Sequence, residues 1–460
     1  SPSEINLAAI LAGNDILLIP HDIPETINLF KTSIQSGVLS YERIDESVRK
    51  ILLAKYKVGL HTYKPIELLN LEKDINTSAD EVLHRELVKN SMTLIKNKKQ
   101  LLPISDLRKF HKIAYVALGD DHHDTFFEEL QKYSDIIKVE KDNLNEIIDT
   151  LEDFDLVIVG FHKSNAHPWK PYQFSDQELT WLYEIARTNT VILDVFAKPY
   201  ALLDIQTVAN IESVVVSYQN SDIAQETSAE IIFGALPAKG TLPVSAGPNF
   251  RLGKGVQTNS LKRLGYSIPE RVGINSDKLK KIDSIANHAV NSRMTPGIQL
   301  IVARKGNIIY NKNFGHHTYD KDAEVVKGDD IYDVASLTKI VATLPLLMEL
   351  EEQGIVSLDT KLSTILPYYK KSNKKNITLK KMLSHYAQLK PWIPFYYETL
   401  DSVSKQPSPI YYSKTPTGKF NIKIANNLYM REDYQDSIPK IIKETDLLST
   451  LRYRYSDLPY

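Results

Sequence analysis

Ser336 and Lys339 stand three residues apart in the stretch Asp333-Val334-Ala335-Ser336-Leu337-Thr338-Lys339-Ile340-Val341-Ala342-Thr343. On a helix that spacing puts both side chains on one face, so the amine reaches the hydroxyl oxygen. A serine hydroxyl is a weak nucleophile until a neighbouring base takes its proton, and a desolvated lysine is such a base. The small and apolar flanks predict the buried first turn of a helix, whose N-terminal partial charge favours a developing alkoxide. Nucleophilic catalysis is the chemistry this pair could do. The bland alternative is a helix start carrying a solvated lysine.

Two other clusters hold side chains of chemical use. Asp120-Asp121-His122-His123-Asp124 follows a predicted strand, but adjacent residues do not converge as ligands on a helix. A solvated strand-to-helix loop is expected there, and no metal site is assigned. His162-Lys163-Ser164-Asn165-Ala166-His167-Pro168-Trp169 also follows a predicted strand, at the edge where open α/β sheets present ligand loops. His162 and Trp169 are therefore candidate substrate-binding residues, walling a sugar pocket with Trp169 as its stacking face. An ordinary structural loop is the competing reading.

The elements that must position Ser336 are legible around it. Residues 296–304 read as a strand, Lys305-Gly306-Asn307 as a turn, and residues 308–315 as the hairpin partner. Residues 344–350 continue the nucleophile helix towards a stop at Gly354. With Thr378-Leu379-Lys380-Lys381-Met382-Leu383-Ser384-His385 and Tyr453-Arg454-Tyr455-Ser456-Asp457, these segments resemble the serine β-lactamase and penicillin-binding-protein superfamily, in particular its class C, esterase-like branch. The resemblance implies Ser336 as nucleophile with Lys339 and Tyr455 as its catalytic partners. It puts Asp457 at a substrate-binding position where the commoner form has asparagine; an ionised Asp457 accepts hydrogen bonds but donates none. His385 is then a packing or hydrogen-bonding residue. The family's third motif, Lys/His-Thr-Gly, is expected after Tyr455, whereas Lys414-Thr415-Pro416-Thr417-Gly418 precedes it and reads as a turn. A C-terminal domain cut short is the expectation, and with one oxyanion donor lost its rate should fall by about 10²–10³.

Nearer the start, residues 7–20 combine a helix, a glycine turn and the apolar run Ile16-Leu17-Leu18-Ile19, which suits a parallel strand buried on both faces. Asp22 is the expected cap of a helix with Pro24 in its first turn, and a further helix runs from Ser40. From residue 62 to 249, β-rich runs at 112–118, 155–161, 190–196 and 213–217 alternate with helical patterns, which predicts an open α/β layer with a mainly parallel sheet. Residues 12–20, 47–52, 90–97, 101–104 and 235–245 resemble the end of the catalytic barrel and the second domain of glycoside hydrolase family 3, especially its β-N-acetylglucosaminidase branch. That resemblance implies that the glycosidase nucleophile and acid/base lie before Ser1. Asp15 is expected to be structural, because barrel catalysts sit at the C-terminal ends of strands. These 460 residues are accordingly expected not to cleave an aryl β-N-acetylglucosaminide, since retaining cleavage needs two positioned groups flanking the bond. Turnover that disappears on changing one of the chain's own carboxylates would refute this.

Composition narrows the classes further. Lys+Arg 56 against Asp+Glu 57 gives a net charge of -1, which argues against a nucleic-acid partner. The absence of cysteine excludes disulfides and thiol catalysis. No apolar run approaches the length of about 18 residues that spans a membrane. The expected fold is multidomain α/β: the tail of a (β/α)8 barrel over 1–61, an open α/β sandwich with a mainly parallel sheet over 62–250, a linker over 251–272, and a truncated α+β serine β-lactamase-like domain over 273–460. Its two resemblances imply a fragment of a bacterial bifunctional hydrolase needing no cofactor. The implied substrate is a small molecule or cell-wall glycan or peptide, and the parent would be periplasmic or envelope-associated. Competing readings keep the C-terminal module as a non-catalytic glycan- or peptide-binding domain, or as a peptidase or esterase acting alone. A nucleotide-binding middle domain is disfavoured, because no Gly-x-Gly-x-x-Gly opens a helix after a strand.

Overall fold

Parallel strands need crossover helices, and strands apolar on both faces need a covering layer on each side. A computed structural model describes residues 1–459 and divides the chain into two units, Ser1–Gly328 and Asp329–Tyr460. In the first, six strands, β1 (Thr93–Asn97), β2 (Ile113–Gly119), β3 (Ile136–Lys138), β4 (Leu156–His162), β5 (Val191–Phe196) and β6 (Ser213–Val216), lie in the order β1-β6-β5-β4-β2-β3. Every pairing is parallel except that of the edge strand β1 with β6. Side chains alternate between two buried clusters. Ala114, Val116 and Leu118 of β2 join Val157, Val159 and Phe161 of β4 on one face. Ile113 and Tyr115 join Leu156 and Ile158 on the other. Helices Leu144–Leu151 and Asp176–Thr188 cover the first face, and Ser78–Ser91, Asp124–Gln131 and Asp222–Ile232 cover the second. Their starts are set locally: Ser175 and Glu178 form a reciprocal capping box, and Asn143 and Ser221 each accept an N–H from the first turn. The expected open layer with a mainly parallel sheet is present.

β2 leads outward to β3 while β4 leads inward to β5, so the strand order reverses between them. The backbones there are in close contact. Asp120 N–H donates to the His162 carbonyl at 3.1 Å, and a Cβ on Gly119 would lie 2.0 Å from that oxygen. With φ at +101°, this position takes glycine on two separate grounds.

Before β1 the chain supplies helices Pro2–Leu11, Ile23–Gln35 and Tyr41–Lys57 but no strand. The run Ile16 to Ile19, read from the sequence as a strand buried on both faces, is instead irregular and open, with Leu18 89 % and Ile19 83 % exposed. A parallel strand exists only through its neighbours, and none pairs with this run among the described residues. No closed barrel forms among them either. Asp22 precedes the second helix at φ +52° and makes no side-chain cap; its carbonyl accepts from Thr26 instead. Asp15 fastens the third helix, accepting from Ser47 at 2.7 Å and Lys50 at 3.3 Å. The Ser47 hydrogen bond leads the groups that hold its carboxyl below the usual range.

Residues 251–264 run along the α/β layer. Val256 N–H donates to the Leu94 carbonyl at 2.6 Å, and Arg263 Nη1 donates to the carbonyls of Ile104 and Phe233, both at 2.8 Å. The chain then forms a three-stranded sheet, β7 (Gly265–Tyr266), β8 (Gly297–Arg304) and β9 (Asn307–Gly315), ordered β7-β9-β8 and backed by helix Ser276–Asn291. β8 and β9 are the expected hairpin, turning at Lys305 and Gly306, both with positive φ.

The second unit has a smaller core, in which Ile377, Leu379, Met382, Ala387 and Leu389 are buried together. Around it are helices Leu344–Glu352, Leu379–Leu383 and Ser437–Glu444 and a sheet of β10 (Tyr412–Ser413), β11 (Phe420–Ala425) and β12 (Leu428–Arg431). Lys414 to Gly418 lies between β10 and β11.

Candidate active site

Ser336 sits in a short 3₁₀ turn, Ala335–Leu337, followed by a π-wound turn, Lys339–Thr343, and only then by the α-helix Leu344–Glu352. Ala335 precedes the serine at φ +44°, a left-handed conformation that costs an alanine about 1–3 kcal/mol. The Asp333 carboxylate accepts the Ala335 N–H at 2.7 Å and braces that bend. The geometry corrects two expectations. No regular α-helix starts at the serine, so a macrodipole directed at its oxygen is not available. Nor is the segment buried, since Leu337, Ile340 and Val341 are all more than half exposed. The five-residue core of this unit is too small to cover the apolar face of the nucleophile segment as well as its own helices.

Four of the sequence candidates nevertheless meet. Lys339 Nζ donates to Ser336 Oγ at 2.9 Å, and the Tyr455 hydroxyl donates to the same oxygen at 2.8 Å. Lys339 Nζ also pairs with Asp457 Oδ1 at 2.7 Å and lies 5.2 Å from the centre of the Tyr455 ring. The hydrogen bond to Asp457, followed by that to Tyr455, raises the lysine above its ordinary range. The same contact holds the Asp457 carboxyl below its own. Lys339 is thus an ammonium in this arrangement. The desolvated amine expected from the sequence is corrected by the carboxylate that stands where the resembling family more often has asparagine.

The C-terminal segment is strapped into place by groups that sequence spacing does not reveal. Arg454 N–H donates to the His385 carbonyl at 2.9 Å, and Ser456 N–H donates to His385 Nδ1 at 3.3 Å. The buried Ser456 hydroxyl donates to the Lys390 carbonyl at 2.7 Å, and Asp457 N–H to that of Pro391 at 2.9 Å. The His385 ring lies 4.6 Å from that of Tyr455. Burial, then the nearby Lys339 charge, keeps His385 below the usual histidine range, so Nδ1 carries no proton and accepts the Ser456 N–H. His385 thus anchors the segment that carries Tyr455. Only its place in the Ser-His pair pointed to it in the sequence.

Asp457 sets a specific expectation. Removing its charge takes an anion from beside the oxygen on which negative charge develops, while the Lys339 ammonium still faces that oxygen. In near-aqueous surroundings a unit charge at about 4 Å is worth roughly 1 kcal/mol, or about fivefold in rate. Asp457→Asn should therefore raise the acylation rate of Ser336 several-fold, measured with an activated aryl ester. A slower variant would show that the carboxylate serves mainly to position Lys339.

The other two sequence candidates belong to the first unit. His162 ends β4 and is fully buried. Its Nε2 accepts from the Tyr115 hydroxyl at 2.9 Å, its Nδ1 donates to Asn220 Oδ1 at 2.8 Å, and its ring stacks on Phe196 at 4.5 Å. Burial pushes it down to about 3, so it is neutral. The polar tip expected on a sugar-facing wall is spent inside the α/β layer. Trp169 is 82 % exposed on the loop after β4. Asp121, in the acidic loop after β2, accepts from Asn220 Nδ2 at 3.0 Å. No helix among the described residues is long and apolar enough to cross a membrane.

Comparison with known proteins also gives two parts, with a boundary that differs from that of the two units, since the C-terminal match begins at residue 282, within the first unit. Residues 282–414 match the Beta-lactamase family model, so the C-terminal part carries a β-lactamase domain; the match includes Ser336, Lys339 and His385 and ends before Tyr455. The staphylococcal protein flp (Staphylococcus aureus, strain NCTC 8325 / PS 47) is 26% identical over 114 residues, 24% of this chain and 22% of that protein. A β-N-acetylglucosaminidase/β-glucosidase of Cellulomonas fimi is 24% identical over 255 residues, 52% of this chain and 45% of the enzyme. The matched stretch spans less than half the length of either relative. Among solved structures, the β-glucoside phosphorylase BglX aligns with a TM-score of 0.43 at 22% identity, over 54% of this chain and 47% of its own. The N-terminal part resembles glycoside hydrolase family 3 β-glucosidases and β-N-acetylglucosaminidases, and hydrolase families account for both parts.

Proposed function

We propose that the C-terminal domain is a serine acyl hydrolase in which Ser336 forms a covalent acyl-enzyme. The observation that carries this reading is the convergence of Lys339 Nζ and the Tyr455 hydroxyl on Ser336 Oγ, at 2.9 and 2.8 Å. Ser336 attacks the acyl carbonyl carbon, and the bond to the leaving group breaks. Lys339, held positive by Asp457, offsets the charge on the attacking oxygen. With substrate bound, the Tyr455 hydroxyl turns its proton from Ser336 Oγ to the leaving group and accepts the serine proton in exchange, so that the proton is relayed; water then repeats the sequence in reverse roles to free the acid. No metal or cofactor enters this scheme. The open surroundings of Ser336 suit activated esters and strained or terminal amides, and a cell-wall peptide is the proposed natural class.

The experiment is direct. The chain is incubated with a fluorescent penicillin and with a short-chain aryl ester, and the adduct is located by peptide mass. Acylation mapped to Ser336 supports the proposal; turnover with no adduct, or an adduct on another residue, overturns it.

A second reading concerns the N-terminal part, and the match to the Cellulomonas enzyme favours it. The whole protein would pair this acyl hydrolase with a glycosidase acting on β-linked N-acetylglucosamine or glucose, releasing sugar and peptide from one polymer. Cleavage of both bond types in one peptidoglycan digest by the whole protein tests it, and sugar release without any acyl-transfer product would reject the pairing.

A further inference from the structure

Residues 453–457, which carry Tyr455 and Asp457, belong to no helix or strand, so no ladder of backbone hydrogen bonds fixes their register. Their position rests on single contacts. Arg454 N–H donates to the His385 carbonyl at 2.9 Å, Ser456 N–H to His385 Nδ1 at 3.3 Å, and Asp457 N–H to the Pro391 carbonyl at 2.9 Å. His385 meets two of these amides, one with its backbone and one with its ring. It does so at φ +59°, a left-handed conformation uncommon outside glycine and tolerated best by asparagine, aspartate and histidine. Ser456 lies between the two residues that reach the nucleophile pair. Tyr455 donates to Ser336 Oγ at 2.8 Å, and Asp457 pairs with Lys339 Nζ at 2.7 Å. A shift of the Ser456 amide therefore moves both.

The Ser456 contact needs a lone pair on Nδ1. Neutral imidazole offers one, whereas imidazolium is a donor at both nitrogens, and its proton would face the Ser456 N–H. The groups around the ring decide how readily that happens. Lys339 of the nucleophile segment opposes the proton, and Asp457 of the C-terminal segment favours it. The rings of Tyr453 and Tyr455 lie 5.9 and 4.6 Å away, and Arg454 is exposed to solvent. Burial and the Lys339 charge prevail over Asp457.

We propose that His385 is a positioning residue for Tyr455 and Asp457, holding both against the Ser336–Lys339 pair only while its ring is neutral, so that acylation carries an acid limb set by His385. The effect on rate rests on the acyl-hydrolase reading; the effect on the segment does not. Its direction follows from the proton balance. Release of the segment leaves an ordinary histidine, which takes up a proton near about pH 6.5, while the anchored ring refuses it. Anchoring is thus complete above that pH and weakens as pH falls below it. Asp457, held below the usual carboxylate range, and Lys339, held above its own, keep their charges through this window.

The test follows acylation of the full chain by a short-chain aryl ester from pH 5 to pH 8, together with hydrogen exchange over residues 450–459 read by mass spectrometry. Two variants separate the roles. His385→Asn puts an oxygen where Nδ1 stood, suits the left-handed backbone and cannot titrate. His385→Leu keeps bulk but offers no acceptor. In the unaltered chain the rate should fall several-fold from pH 7 to pH 5, and exchange should rise relative to the asparagine variant at the same pH. His385→Asn should lose the acid limb and recover most of the rate that His385→Leu forfeits. The leucine loss should be about tenfold, should fall on kcat, and should leave KM within about twofold. An acid limb that survives in His385→Asn, or a leucine variant as fast as the unaltered chain, overturns the proposal. If the leucine variant does not fold, the unaltered chain against His385→Asn still decides. Should no acyl-enzyme form, the acyl-hydrolase reading falls and exchange alone decides: a difference from the asparagine variant that grows towards pH 5 supports the anchoring, and a constant difference rejects it.

Discussion

Replacing Ser336 by alanine is expected to abolish acylation and ester turnover, the largest effect any single change in this chain should have. In a well-formed serine hydrolase, loss of the nucleophile costs on the order of 10⁶ in rate. Here the fall should reach the uncatalysed background, because no other hydroxyl among the described residues shares the contacts of Ser336 with Lys339 and Tyr455. The partners should grade below it. Tyr455→Phe removes the proton relay and should cost about 10²–10⁴. Lys339→Met should cost a comparable factor, whereas Lys339→Arg, which keeps the charge, should retain more activity. That ordering separates a fixed cation from a proton acceptor, since arginine cannot serve as a base. Equal loss in the methionine and arginine variants would return the base role to lysine and sink the assignment made from the Asp457 pair. These substitutions are cleanly read, because the segment around Ser336 is exposed and carries little of the unit's core.

The spacing of Ser336 and Lys339 was legible because it is local: three residues fix a shared face whether the turn is α or 3₁₀ in detail. Tyr455 and Asp457 were legible only through the ordered resemblance, since more than a hundred residues separate them from the serine. What the sequence could not carry was surroundings. The apolar flanks of Ser336 suggested burial, yet burial depends on how much surface the rest of the unit offers, and that core is small. The run Ile16 to Ile19 has the composition of a buried strand, but composition names no partner strand, and the segment lies open. His162 shows the converse. Its position just after a β-rich run suggested a loop-borne ligand, while the register of β4 carries the strand one residue further and turns the ring inward onto Tyr115 and Asn220. The α/β layer was recovered almost whole because alternation along β2, β4 and β5 is a property of each strand by itself.

Asp194 shows where that alternation conceals an energetic cost. It lies within β5, in the apolar run Val191 to Phe196, and is fully buried. Ser217 donates to Oδ1 at 2.7 Å and Ser228 donates to Oδ2, but burial outweighs both hydroxyls and pushes the carboxyl up to about 7. In the unfolded chain an aspartate titrates near about 3.9. Between these two values the folded state holds a proton that the unfolded state has lost. Stability contributed by the neutral acid is therefore complete below the unfolded value and is lost as pH rises through the folded one. Glu230, also buried and also raised to about 7, acts in the same direction. His162, depressed to about 3, opposes them below the ordinary histidine range, because there the unfolded chain gains a proton that the folded one refuses. The net slope is thus steepest close to neutrality, and comparison with a variant isolates the aspartate. Asp194→Asn keeps the shape and the neutral form at every pH. Its stability relative to the unaltered chain should rise by about 3 kcal/mol between pH 5 and pH 8, because a tenfold difference in proton affinity between folded and unfolded states is worth about 1.4 kcal/mol. Native-state hydrogen exchange of the β5 amides reads this locally, without requiring the two units to unfold together. A difference between the two proteins that stays constant from pH 5 to pH 8 would mean that Asp194 is ionised in the fold, with its two serines sufficient to hold the charge.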